Sequence, residues 1–333
     1  MRSPRTGRSA WPVPGDRAPV PAGPAPGRAA LPRGGRAWSG PGRTRRDDGG
    51  VLQDVIDHLA CPVCRDGLGL AERTVRCPNG HAFDVARQGY VSLLAGSRGA
   101  GTADTPEMVA ARERFLAAGH YAPLAARVAG LAAELAGDAP GLVVDAGAGT
   151  GYLLARVLDA LAPDAAGIAL DISKHAIRRA ARAHPRIGAV VADVWRPLPV
   201  RDGRAALVTN VFAPRNGPEF ARVLAPGGAL LVVTPGPGHL GGLVDALGLL
   251  SVDQEKERRL AASLSRFFTI ITEVTEEISL TLDHDAVEAM VRMGPSAHHV
   301  DPAALRRRIG DLPDPSVVPG LFRITIWKPN RGI

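Results

Sequence analysis

The sequence predicts an α/β protein, a doubly wound sheet with a small separate module ahead of it, and three observations carry that reading. From about residue 140 onward, short apolar runs of strand length alternate with helical segments, the pattern of a sheet covered by helices on both faces. The first of these runs, "GLVVD", leads into a glycine-rich turn, "AGAGTG", and then into "YLLARVL". Such a strand, turn and helix place a ligand at the carboxyl end of a strand. The chain's only three cysteines, Cys61, Cys64 and Cys77, fall in one short segment that ends in His81.

Composition narrows the function classes. A chain of 333 residues with 45% hydrophobic residues suffices for one large domain plus a small one. No apolar run reaches the roughly 18 residues of a membrane span, and the N-terminus lacks the apolar core of a secretory signal. A cytoplasmic protein without membrane contact is expected. The net charge is +7, and ten Arg against three Asp in residues 1–50 account for all of it. Residues 51–333 hold 30 basic and 30 acidic residues. The segment 1–50 is rich in Pro, Gly, Ala and Arg and has too little to bury, so it is expected to be disordered.

The cysteine segment reads C-x2-C, twelve residues, then C-x3-H. Two knuckles joined by a short hairpin would place four ligands around one tetrahedral ion, with Gly67, Gly69 and Gly80 supplying turns. A Cys3His set leaves no open coordination position, so the expected metal is one structural zinc held by Cys61, Cys64, Cys77 and His81. His58 lies nearby as a competing fourth ligand, but the x3 spacing favours His81. The following "FDVARQGYVSLL" reads as a strand completing the module, and "GSRGAGTAD" as a Gly-rich linker. Thr105 as N-cap, Pro106 and Glu107 then start a helix that Gly119 stops, and a second helix runs from about Pro123 to Leu135.

In the larger part, Gly147, Gly149 and Gly151 form a G-x-G-x-G turn preceded by Asp145, and glycines there let the backbone approach a ligand. "GIALDIS" is a second strand ending in Asp171, twenty residues after Gly151, where an acidic residue suits a ribose diol. Further strands are "GAVVADVWRPLP", ending near Asp193, then "AALVTNVFAP" and "ALLVVTPGPGHL", with helices at about 150–161, 173–183 and 217–224. The turn is not followed by the Lys-Ser/Thr pair of a P-loop. "FFTIITEVTEEISLTLDHD" and "GLFRITIWKP" read as long antiparallel strands closing a sheet edge. That favours a class I fold binding S-adenosylmethionine (SAM) over a dehydrogenase.

The ordered set "CPVC", "CPNGHAFDVARQGYVSLL", "RERFLAAGHYAPL", "VDAGAGTGY", "LDISKHAI", "NVFAP", "LAPGG" and "TPGPGHL" resembles the RlmA/TlrB family of SAM-dependent 23S rRNA (guanine-N1)-methyltransferases over roughly residues 55–328. The resemblance implies a zinc ribbon that recognises RNA at 51–98, linking helices at 99–136 and a methyltransferase domain at 137–333, with 1–50 outside it. It maps zinc ligation onto Cys61, Cys64, Cys77 and His81, and SAM contacts onto Tyr121, Gly151, Tyr152 and His239, with Asp171 as the ribose acid and Asp145, Gly147 and Gly149 in the same site. It also implies 23S rRNA as partner, with a homodimer as one allowed assembly. Actinobacterial members modify a hairpin-loop guanine of the peptide exit tunnel and help confer resistance to tylosin- or mycinamicin-type macrolides. The 37 Arg against only Lys174, Lys256 and Lys328 suit a GC-rich genome of that kind.

For the chemistry, guanine N1 must lose its proton as the methyl arrives. Asp193 and the "TNVFAP" loop are the candidates, with Asn210 bonding a base edge and Phe212 stacking a flipped-out base. Arg65, Arg73, Arg76, Arg87, Arg112 and Arg114 are the candidates for phosphate contacts. Two other classes stay open on the residues alone: a small-molecule methyltransferase with the ribbon as a lid, and a catalytically silent rRNA-binding protein.

Overall fold

In the computed structural model, the described residues are 50–94, 96, 103–136, 141–249, 261–294, 297 and 301–330. The expected disordered extension lies outside them apart from Gly50, as does most of the Gly-rich linker. The chain divides into Met1–Thr44 and Arg45–Ile333, and every described element belongs to the second unit.

A short helix α1 (Gly50–Val55) leads into the first cysteine knuckle. Strands β1 (Gly69–Ala71), β2 (Thr74–Arg76) and β3 (Ala82–Asp84) then form a three-stranded antiparallel sheet, with Leu70 opposite Val75 and Val75 opposite Phe83. Strand β4 (Tyr90–Ser92) departs from expectation. Only the first half of "FDVARQGYVSLL" completes the small module. After the turn at Gly89, whose φ is +89°, the second half leaves it and pairs in parallel with a strand of the large sheet. The reason is burial: Val91 and Leu93 are apolar and sink into the main core, which three short strands cannot offer.

Helix α2 (Pro106–Ala117) begins as predicted, with the Thr105 hydroxyl accepting the Met108 N–H. It ends before Gly119, at φ +83°. Helix α3 (Ala122–Ala136) follows. Then come β5 (Leu142–Ala146), α4 (Tyr152–Ala160), β6 (Ala166–Asp171), α5 (Lys174–Ala183), β7 (Ile187–Val191), β8 (Ala205–Val211), α6 (Gly217–Val223), β9 (Leu224–Pro235) and α7 (Gly241–Leu247). The chain closes with β10 (Phe268–Leu282), α8 (His284–Arg292), α9 (Pro302–Gly310) and β11 (Ser316–Pro329).

The large sheet has eight strands in the order β10-β11-β9-β8-β5-β6-β7-β4. From β9 to β4 every pairing is parallel, while β11 and β10 are antiparallel. This is the expected doubly wound sheet of a class I SAM-dependent methyltransferase, closed at one edge by two long antiparallel strands. The strand order reverses at β5, so a crevice opens at the carboxyl ends of β5, β6 and β8. One face of the sheet is packed by Leu124, Val128, Leu154, Leu158 and Ile177 from α3, α4 and α5. The other is packed by Leu52, Val55, Phe220 and Val223 from α1 and α6. Helix α1 lies so close that a Cβ on Gly188 of β7 would fall 2.2 Å from Val55 Cγ2. Both ends of segment 51–98 are therefore built into the large sheet.

Candidate functional site

The four expected metal ligands converge. Cys64 Sγ lies 3.6 Å from Cys77 Sγ, and His81 Nδ1 lies 3.6 Å from Cys61 Sγ and 3.3 Å from Cys77 Sγ. A tetrahedral zinc with Zn–S about 2.3 Å and Zn–N about 2.0 Å requires ligand-to-ligand edges of roughly 3.5–3.8 Å. The chain presents that shell with Nδ1 as the histidine donor. Backbone bonds shape the knuckles: Arg65 N donates to Cys61 O at 2.9 Å and Gly80 N to Cys77 O at 3.1 Å. Arg65 and Gly80 both take positive φ, as does Glu72 between β1 and β2. Gly67 and Gly69, expected at turns, sit instead at a bridge and in β1. His58 stands outside the cluster, and these four residues form a site for one structural zinc ion.

The module is fixed to the loop between β7 and β8. Ala60 N donates to Pro199 O at 3.1 Å, and the Arg65 guanidinium donates to Leu198 O at 2.8 Å. Arg65 is thus a structural strut rather than a phosphate contact. Arg73 donates to Val85 O at 3.0 Å. Arg112 donates to Met293 O at 2.8 Å and pairs with Asp104. Only Arg76, Arg87 and Arg114 of the expected set project freely from the surface.

At the crevice, Asp171 ends β6 and grips the glycine turn. Its Oδ2 accepts the Gly149 N–H at 2.9 Å and its Oδ1 the Ser173 N–H at 2.8 Å. Each oxygen keeps a lone pair for a ribose hydroxyl, so the carboxylate fits a SAM ribose while holding the turn. Burial pushes its pKa up against those two bonds. The glycines differ in what they face. A Cβ on Gly147 would strike Ala213 Cβ at 2.3 Å, one on Gly151 would meet Ala180 of α5 at 3.0 Å, and one on Gly149 would meet the Arg112 guanidinium at 3.3 Å. Gly147 and Gly151 therefore serve close packing against fixed atoms, and Gly149 faces only the end of a flexible side chain. Tyr152 opens α4 with Arg156 over its ring. Asp145 is placed beneath the turn: it is buried, accepts Thr209 Oγ1 at 2.8 Å, and burial raises its pKa to about 7.

Beyond the turn the structure assembles an aromatic cluster that the sequence does not announce. Its centre is Phe322 of β11, fully buried. Around it stand Tyr121 at 5.3 Å, Phe212 at 5.9 Å and His239 at 4.8 Å between ring centroids. Three residues expected in the site from distant motifs thus meet on one that was not expected. The signal for Phe322 was present only as an aromatic in a strand next to β9, which nothing in the sequence marks as functional.

Asn210 has a structural task that its place in the sequence does not show. It is fully buried, and its amide donates to Ala146 O at 2.9 Å and Pro214 O at 2.8 Å. These bonds tie the ends of β5 and β8 together, while Oδ1 is buried without a hydrogen-bond partner. Phe212, by contrast, is 45% exposed at φ +53°. Asp193 follows β7, with Oδ1 accepting Trp195 N at 2.9 Å.

Comparison with known proteins agrees with this geometry. A family model for the RlmA N-terminal zinc ribbon matches residues 59–96, and one for a methyltransferase domain matches residues 143–228. The 23S rRNA (guanine(748)-N(1))-methyltransferase of Streptomyces fradiae is 54% identical over 84% of this chain and 99% of its own length. The chain belongs to the family of 23S rRNA (guanine-N1)-methyltransferases. Within that family, a Micromonospora griseorubida relative carrying a provisional name of the same kind is 53% identical over 83% of this chain and 99% of its own. A Bacillus subtilis member is 29% identical over 71% of this chain and 86% of its own. Among solved structures, a SAM-dependent methyltransferase from Thiobacillus denitrificans in complex with S-adenosyl-L-homocysteine covers 61% of this chain and 90% of its own, at 17% identity and a TM-score of 0.41.

Proposed function

We propose that this member of the family methylates N1 of a guanine in a hairpin loop of 23S rRNA and contributes to resistance against tylosin- or mycinamicin-type macrolides. The observation that carries the reading is the bonding of the zinc module to the loop beside the crevice, through Ala60 to Pro199 and Arg65 to Leu198. A module fixed there can hold an RNA against the site. The high identity to the Streptomyces and Micromonospora relatives supports the substrate.

When bound, SAM supplies an activated methyl on a sulfonium. The chain's own residues orient it and manage the proton. Asp171 receives the ribose, and Gly149 leaves room beside it. His239 is an unsuitable base, because burial lowers its pKa to about 4 and its Nδ1 lone pair accepts Leu321 N–H. Asp145 is buried beneath the turn. Asp193 is the remaining carboxylate of the expected set, half-buried just after β7 with Oδ2 lying 3.9 Å from Arg196 Nε. We assign it the acceptance of the N1 proton. Asp193→Asn should then lower kcat while leaving S-adenosylhomocysteine affinity unchanged.

The test of the function is expression in a strain lacking its own enzyme. A new primer-extension stop at one guanine and 1-methylguanosine in digested 23S rRNA are expected, together with a higher inhibitory concentration of tylosin. Absence of both stop and modified nucleoside sinks the rRNA assignment and leaves a small-molecule substrate as the better reading.

A further inference from the structure

Among the described residues, two aromatic side chains are exposed: Trp195 at 61% and Phe212 at 45%. They lie at the same end of the sheet, after β7 and β8, on two loops that are stapled together. Asn216 Nδ2 donates to Val194 O at 2.8 Å and to Arg196 O at 3.3 Å, on either side of Trp195. The Trp195 backbone is also held within its own loop, since its N–H reaches Asp193 Oδ1 at 2.9 Å and Arg196 N reaches Asp193 O at 3.0 Å. Three residues on, the same loop carries the zinc module: Leu198 O accepts Arg65, and Leu198 N donates to Glu219 Oε2 at 2.7 Å. An indole has thus been left in water on a backbone fixed from both sides, between the zinc module and the crevice.

Exposing that much apolar ring is unfavourable for the free protein, and the fold does not use it: the loop is anchored by the buried Val194 and Leu198 on either side and by these hydrogen bonds. We infer that Trp195 is a stacking platform for an unpaired base of the RNA loop, a neighbour of the target guanine, and that it positions the loop while Phe212 meets the target. The inference rests on the rRNA reading above. An unpaired base offers a flat π-face to any indole regardless of its identity, and recognition of RNA loops works largely through bases splayed onto aromatic side chains. The neighbouring Arg196, at 76% side-chain exposure, adds a cation for the adjoining phosphate. Trp195 is in this sense a positioning residue and touches no reacting atom.

The experiment measures binding of the hairpin RNA to the full chain by anisotropy at several salt concentrations, alongside S-adenosylhomocysteine binding by calorimetry. Trp195→Ala should weaken RNA binding roughly 10- to 100-fold, the range for one stacked base, and raise KM for the hairpin with kcat changed less than threefold. The slope of affinity against salt should stay that of the wild type, since no phosphate contact is lost. Trp195→Phe should recover most of the affinity, and both variants should melt as the wild type does. Wild-type RNA affinity in Trp195→Ala would overturn the inference. So would a loss confined to S-adenosylhomocysteine, which would place the indole against the cofactor instead. If the wild-type chain itself neither binds nor methylates the hairpin, the rRNA reading fails and this inference with it.

Discussion

The Nδ1 of His239 accepts the backbone N–H of Leu321 at 3.1 Å, and this bond fixes where the ring keeps its proton. With Nδ1 accepting, the neutral imidazole must carry its hydrogen on Nε2. Burial holds its pKa near 4, so the ring is a neutral Nε2–H donor throughout the working range of pH. His239→Asn retains an acceptor near Nδ1 but loses the donor at the Nε2 position, its own NH2 lying closer to the backbone. It should melt close to wild type and bind S-adenosylhomocysteine about 2- to 13-fold more weakly, the worth of one neutral hydrogen bond of about 0.5–1.5 kcal/mol. Equal affinity in the two proteins would remove Nε2–H from the cofactor site.

The glycine turn divides its labour, and substitutions should separate the two tasks. Gly151→Ala forces a Cβ to 3.0 Å of the α5 backbone at φ +77°. A backbone cannot swing aside as a side chain can, so a stability loss of about 1–3 kcal/mol is expected. Gly149→Ala meets only the end of Arg112 at 3.3 Å, at φ +54°. It should lose less stability and more S-adenosylhomocysteine affinity. Thermal melts and calorimetry on the pair decide the matter, and the reverse ranking would show that Gly151, not Gly149, faces the ligand.

Asp145 makes stability depend on pH. Its ordinary pKa of 3.8 rises to about 7 in the fold because it is buried, the Thr209 bond offsetting this only in part. Between those values the folded chain holds a proton that the unfolded chain has released. Stability contributed by this group therefore falls as pH rises through that window, by about 1.4 kcal/mol per pH unit. Asp145→Asn keeps an acceptor for Thr209 and cannot ionise. The difference in unfolding free energy between the two proteins should move in favour of the variant from pH 4 to pH 7 and then level off. A difference that stays flat across that range would mean that Asp145 is ionised in the folded chain.

How much of this was legible in the sequence depends on the range of the contacts. The zinc ligands, the start of α2 at Thr105 and the strand ending at Asp171 were readable because spacing, cap and turn chemistry act within a few residues. The partner of β4 was not, since nothing in "GYVSLL" says whether its apolar side meets the small module or β7. The strand-tying bonds of Asn210 were hidden for a related reason. A polar residue at a strand end looks the same whether it faces a ligand or ties two strands, and only the positions of Ala146 O and Pro214 O decide. Phe322 and Trp195 gained meaning from neighbours more than a hundred residues away or from their exposure.

Zinc should hold the two knuckles of the small module together. The module buries little beyond Leu68 and Val75 around the buried Cys61 and Cys77, too little core for independent folding. Elemental analysis should give about one zinc per chain. Cys64→Ser should release it and expose the segment 61–84 to proteolysis. Helix α1 and β4 are packed on the large sheet, so S-adenosylhomocysteine binding should survive. Full zinc retention in the variant would show that Cys64 is not a ligand.

The cation that draws RNA to the site should come from α5 rather than from the zinc module. Residues 172–192 contain Lys174, Arg178, Arg179, Arg182 and Arg186 and no acid, a local cluster of cations in a segment, 51–333, whose total charge is zero. Arg186 is occupied, donating to Ala162 O and Ala165 O. Arg179 pairs with Glu113 at 3.2 Å. Lys174, Arg178 and Arg182 are exposed and have no ion pair among the described residues. Arg178 and Arg182, with Arg179 and His175, rim a cavity of about 210 Å³ floored by Pro106 and Val109. The helix starts directly after Asp171, so this ridge runs outward from the crevice. Arg178→Glu with Arg182→Glu should weaken hairpin binding and lower the slope of log affinity against log salt by roughly two, or less if one contact is to a single strand. Both side chains are on the surface, so melting and S-adenosylhomocysteine affinity should hold. An unchanged salt slope in the double variant, with a reduced slope in Arg76→Glu and Arg87→Glu, would return the phosphate contacts to the zinc module.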